Sequence, residues 1–152
     1  MTNLYFEDLQ VGLRAESEEI EMRLADIKAF AAQFDPQPFH LDEEAGRASF
    51  FGGLVASGWH TAATTMRLIV SGGIRAAEGT VGAGIQELRW PQPVRPGDRL
   101  HIVSEIVEII PSRSKPDRGL ARVRVTTLNQ NGETVQSMVS TIVVPRRPAK
   151  DI

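Results

Sequence analysis

The sequence predicts an α+β domain in which an antiparallel β-sheet wraps one long central helix. Three observations predict it. An apolar stripe at helical spacing begins near residue 57, four strand-like runs fill the second half of the chain, and an Asn-Gly turn joins the last two. A long apolar helix followed by antiparallel strands is most simply buried by laying the strands round it.

Residues 13–22, LRAESEEIEM, alternate weakly and carry several acids, which predicts an exposed edge strand. Ile27, Phe30, Ala31 and Phe34 then fall at i, i+3, i+4 and i+7, an amphipathic helix of about three turns starting near Asp26. Pro36 stops it and presents Asp35 at its exit. Pro36 and Pro38 bias Asp35 and Gln37 away from helical torsions, so the segment from Phe34 to His40 is expected to be extended or turning. An acid and a base, Asp35 and His40, are thereby held in fixed relation about one water apart. Asp42-Glu43-Glu44-Ala45 reads as a short capped turn, and Phe50-Phe51-Gly52-Gly53 as an apolar loop with close backbone approach.

The central helix is expected from Ser57-Gly58 to Gly72-Gly73, with Trp59, Ala62, Ala63, Met66, Ile69 and Val70 as its apolar stripe and small residues that let a sheet approach. Its first amides are placed to receive a developing negative charge. Strands are expected over 80–90, 99–110, 119–128 and 134–144, as a meander. Pro91, Pro93, Pro96 and Gly97 punctuate the first connection, and residues 111–119 form the second.

Composition narrows the function. With 152 residues, 41% hydrophobic and 24% charged, the chain reads as a single domain over 1–152 with a full core. A net charge of −2 gives no pull toward nucleic acid or an anionic membrane surface. The absence of cysteine excludes disulfides and Cys-ligated metal, and no apolar run is long enough to cross a bilayer. With no apolar leader at the N-terminus, a cytoplasmic protein is expected. The open sheet edges predict a homodimer, or a higher oligomer built from dimers.

At Asp35-x4-His40-Leu41-Asp42, at Ala56-Ser57-Gly58, and at Leu88-Arg89-Trp90-Pro91-Gln92-Pro93-Val94-Arg95-Pro96-Gly97-Asp98, the chain resembles the MaoC-like dehydratases, the (R)-specific enoyl-CoA hydratase group of the hot-dog fold. The similarity in element order runs from about residue 5 to 145. It implies a hydro-lyase that adds water across the trans-2 double bond of an acyl-CoA thioester, or removes it, with Asp35 and His40 as the acid–base pair. It implies Gly58 as amide donor to the thioester oxygen, with Ser57 and Trp59 beside the substrate, and no metal or organic cofactor. Arg113, Lys115 and Arg118 read either as a solvated loop tip or as contacts for coenzyme A phosphates, with Arg89 and Arg146-Arg147 as weaker candidates. Ser57 stands where many members carry histidine, and Met66 where many carry serine. His60 reads as a structural or pocket-wall residue and His101 as a strand surface residue; a metal site of His40, Asp42 and His60 is not favoured by spacing. Two other activities fit the same residues: an acyl-CoA thioesterase, and a non-catalytic acyl-CoA-binding partner subunit.

Overall fold

The computed structural model describes residues 3–149. After a 3-10 turn at Phe6–Asp8 come β1 (Arg14–Glu16), β2 (Ile20–Glu21), α1 (Leu24–Phe34), α2 (Pro38–Leu41), α3 (Glu43–Ala48), α4 (Gly58–Gly72), β3 (Val81–Arg89), β4 (Arg99–Pro111), β5 (Arg118–Leu128) and β6 (Thr134–Pro145). The strands form one antiparallel sheet in the order β1-β4-β5-β6-β3, with β2 also on β4. This is the α+β hot-dog arrangement, with α4 against the inner face of the sheet.

The sheet's inner face follows the strand period. Leu100, Ile102 and Ile106 of β4, Ala121, Val123 and Val125 of β5, and Met138, Ile142 and Val144 of β6 are buried, each two or four residues from the next. Ile27 of α1 closes one flank of this core. The β5–β6 hairpin turns at Asn129–Gly132 as expected, with Gly132 at φ +74° and its amide donating to the Asn129 carbonyl. Among the described residues, no helix is long and apolar enough to cross a membrane.

Three expectations are corrected. The four long strands are not a meander: β3 pairs with β6, because β4 already has β1 and β2 on one side and β5 on the other. The proline-rich segment after β3, poor in amide donors, instead crosses past the start of α4. Of the expected apolar stripe of α4, only Ile69 is buried in the core. Trp59, Met66 and Val70 are 59%, 47% and 55% exposed, while Thr61, Thr64, Thr65, Leu68 and Ile69 are buried. Thr64 and Thr65 are tolerated inside because their hydroxyls are answered: Thr65 and Thr127 share a 2.7 Å hydrogen bond, and Thr64 Oγ1 lies 3.6 Å from Met22 Sδ. Finally, His40 is on the one-turn helix α2. Pro38 opens that helix at a position where a missing N–H costs nothing, so only Asp35 to Gln37 are non-helical.

Candidate active site

Three chain segments converge at the start of α4, and backbone hydrogen bonds lock them together. Asp35 caps the end of α1, its amide donating to Ala31 O at 2.9 Å. Asp42 caps α3 by accepting from Ala45 N–H, which fixes the exit of α2. The Val55 amide donates to Phe39 O at 3.1 Å, and the Ala56 amide to Val94 O at 2.8 Å. Gly97 adopts φ +88° and the Asp98 carboxylate accepts from Arg95 N–H, so the Pro-Val-Arg-Pro-Gly-Asp stretch is a turn holding Val94 in place.

His40 is 5% exposed, and its Nδ1 lies 2.7 Å from Val55 O. A carbonyl only accepts, so Nδ1 carries the proton and Nε2 presents a lone pair when the ring is neutral. Nε2 lies 3.2 Å from Asp35 Oδ2, a direct contact rather than the one-water gap expected. Two acceptors at that distance demand a shared proton or a water that donates one hydrogen to each. Burial raises the Asp35 carboxyl, but the Ser57 hydroxyl, the Gln37 amide and His40 together outweigh it and hold it below its usual 3.8. Asp35 is therefore ionised at neutral pH.

His40 opens into a cleft of roughly 590 Å³ that Gly58 shares, with Phe39, Phe51 and Val94 on its walls. The Gly58 amide is the first of α4 and precedes the helical hydrogen bonds, which begin with His60 and Thr61 on Ser57 O. Ser57 caps the helix by accepting from Trp59 N–H. A Cβ at Gly58 would lie 2.7 Å from the Trp90 indole, so it is Trp90 that needs the bare backbone.

The other candidates are distributed as follows. Trp59 is on the exposed side of α4 and packs edge-on against Trp90, with ring centroids 5.2 Å apart, instead of lining the cleft. Met66, two turns on, lies on the same exposed side. Arg113 and Lys115 lie on the β4–β5 connection and Arg118 opens β5 opposite Pro145, whereas the cleft is at the Thr134 end of β6. A strand of this length spans about 33 Å, so within one chain this loop does not reach the cleft. Arg118 is paired with Asp117, and Arg147 with Asp8. Arg95 is the cation at the cleft mouth, donating to Phe51 O at 2.8 Å. Among the described residues, no three potential metal-ligating side chains cluster.

His60 lies outside the cleft, stacked on Phe30 at 4.7 Å in a separate groove with Asp26 and Arg67. Its Nδ1 is buried without a partner, and burial pushes the imidazole below 6.5, which Asp26 only partly offsets. The unfolded chain then binds a proton more readily than the folded one, so stability falls as pH drops from 6.5 through the lower folded value. His60→Phe keeps the stack and removes that loss: melting temperatures measured at about pH 5 and pH 7 are expected to differ less in the variant than in wild type. An unchanged difference would show that His60 does not titrate in this window.

Two contributors lie outside the sequence reading, the Val55 carbonyl at His40 and Gln136 behind Trp90. The Val55 carbonyl carries no sequence signal. Gln136 is a polar residue in the inward phase of an apolar strand, and that phase is the signal that marks it.

A MaoC like domain model matches residues 10–129. The chain belongs to the MaoC-like family. A MaoC-like dehydratase from Rhodospirillum rubrum superposes with a TM-score of 0.93 at 56% identity, covering 97% of this chain and 100% of that one. The curated 3-hydroxybutyryl-CoA dehydratase of Methylorubrum extorquens is 34% identical over 97% of this chain and 88% of its own length. An unliganded (R)-hydratase from Pseudomonas aeruginosa has a TM-score of 0.73 at 27% identity, covering 99% and 97% of the two chains. The relatives named as dehydratases and hydratases make this MaoC-like chain a protein of hydro-lyase kind.

Proposed function

We propose that this MaoC-like protein hydrates short-chain trans-2-enoyl-CoA thioesters, or dehydrates the corresponding 3-hydroxyacyl-CoA. The observation that carries the reading is the 3.2 Å contact of His40 Nε2 with Asp35 Oδ2, with His40 Nδ1 committed to Val55 O and the Gly58 amide in the same cleft. A water beside both groups donates one hydrogen to Asp35 and one to His40 Nε2. Its oxygen forms the new bond to C3 as Nε2 takes the proton, and the double-bond electrons move onto the thioester oxygen. The Gly58 N–H donates to that oxygen, and the imidazolium then protonates C2, which returns His40 to neutral. General acid–base catalysis of this kind contributes about 10²–10⁴-fold, and one oxyanion donor about 10²–10³-fold. The name of the Methylorubrum relative supports a short acyl group.

The test is the loss of enoyl-thioester absorbance on adding crotonyl-CoA, with free thiol monitored in parallel. Bleaching without thiol supports hydration. Bleaching that tracks thiol release identifies a thioesterase, and saturable binding with no turnover a binding subunit.

We also propose that a second copy covers the exposed α4 stripe and the β3 edge. Both lie on one side of the molecule, and Val81 and Ile85 of β3 are as exposed as Met66 and Val70. An antiparallel β3–β3 pair obeys two-fold symmetry and joins the sheets. It also brings the Arg113–Arg118 loop of one copy toward the Trp90 end of the other, adding to Arg95 as a partner for coenzyme A phosphates. Sedimentation of the wild type should give a dimer and Ile85→Glu a monomer; a monomeric wild type would refute the pairing.

A further inference from the structure

One wall of the catalytic cleft, the partly exposed Trp90, is held by a contact that the acid–base chemistry does not need. Trp90 Nε1–H donates to Gln136 Oε1 at 2.8 Å, and Gln136 is fully buried. Its Nε2 faces Met138 Sδ at 3.9 Å. Residues 136, 138 and 140 succeed one another on the inner side of β6. Ser140 lines a second, mostly apolar void between α4 and the sheet, with Ile69, Val125 and Ile142. That void holds about 30 Å³, room for roughly one water. Met138 lies on β6 between Gln136, which holds the cleft-lining Trp90, and Ser140 of the void, and it pairs across the sheet with Val125, another void residue. Thr127, opposite Gln136 in the sheet, is hydrogen-bonded to Thr65 of α4. An apolar residue at 136 would fill the same core without needing a partner. The glutamine makes sense as the anchor that holds the indole across the cleft and against Gly58.

We infer that Trp90, Gln136 and Met138 form a plug that limits the acyl group to short chains. This rests on the acyl-CoA reading above. A longer tail extending inward from C3 must displace the indole, which strands the Gln136 amide, or push Met138 into the void behind it. Methionine is flexible, so truncating it joins cleft and void with little disturbance to the backbone.

The experiment compares wild type, Met138→Ala and Trp90→Ala with crotonyl-CoA and trans-2-octenoyl-CoA. It also measures calorimetric affinities for butyryl-CoA and octanoyl-CoA, which do not depend on turnover. Wild type should favour the short chain in both readouts. Met138→Ala should raise the long-to-short ratio of kcat/KM, and of affinity, by about tenfold or more, the scale on which a few methylenes discriminate. Trp90→Ala should shift the ratio in the same direction. A wild type that takes both chains equally overturns the plug, as do variants that lose both substrates in parallel. If wild type turns over neither substrate, the hydratase reading fails, and the affinity ratio alone decides whether the plug exists.

Discussion

Replacing Asp35 by asparagine should lower kcat for crotonyl-CoA hydration by about 10²–10⁴-fold while leaving the fold intact. Asparagine keeps the shape of the side chain and supplies an N–H for His40 Nε2, so the pair remains hydrogen-bonded. What is lost is the carboxylate that holds one hydrogen of the water. His40→Ala should fall within the same range, with some loss of stability, because Val55 O then loses its donor in a buried position. Since the two groups grip one water, the double variant should be barely worse than either single one. Initial rates with melting curves as a folding control decide the matter. A folded Asp35→Asn protein with wild-type kcat would remove Asp35 from the mechanism. The pH profile adds a check on sign: because the Asp35 carboxyl is held below 3.8, an acidic loss of kcat centred above that value must come from a group other than Asp35, and a loss that tracks Asp35 must lie below it.

Gly46→Ala should damage the protein although it lies outside the cleft. A Cβ there would sit 2.5 Å from Leu54 N and 2.6 Å from Leu54 Cα, both backbone atoms that cannot rotate away. Alanine improves helix propensity by about 0.5–1 kcal/mol, whereas overpacking costs about 1–3 kcal/mol or more. The clash wins. For a domain of this size each kcal/mol lowers Tm by about 2–4 °C. The shift also reaches the chemistry, because Leu54 precedes the carbonyl that orients His40. Thermal melts should therefore fall together with kcat. A variant with wild-type Tm and full activity would show that the α3 packing is looser than described.

How much was legible in the sequence depended on which force decided each element. The hairpin at Asn131-Gly132, the stop of α1 before Pro36 and the opening of α4 at Gly58 are set by local torsions and caps, and they were readable. The pairing of β3 with β6 was not, since nothing local to 81–89 says which edge is free. The orientation of α4 misled for a different reason. Periodicity finds the most apolar stripe, and here all of that stripe but Ile69 and the half-buried Ala62 faces outward, while hydrogen-bonded threonines face inward. At the candidate site the residue types and their proximity were legible from the Asp35-x4-His40 spacing. The Val55 carbonyl that sets the imidazole tautomer, and the Trp90 indole that demands glycine at 58, depend on tertiary contacts between segments distant in sequence.

The buried Thr65–Thr127 pair has an evolutionary consequence. Each hydroxyl is the other's partner, in a place water does not reach. Changing either residue alone to valine strands a buried hydroxyl, at about 1–3 kcal/mol, whereas changing both removes donor and acceptor together and is nearly neutral. The two positions are thus locked in epistasis: lineages pass between the polar and apolar states by paired changes, or through a weakened intermediate that selection tends to remove.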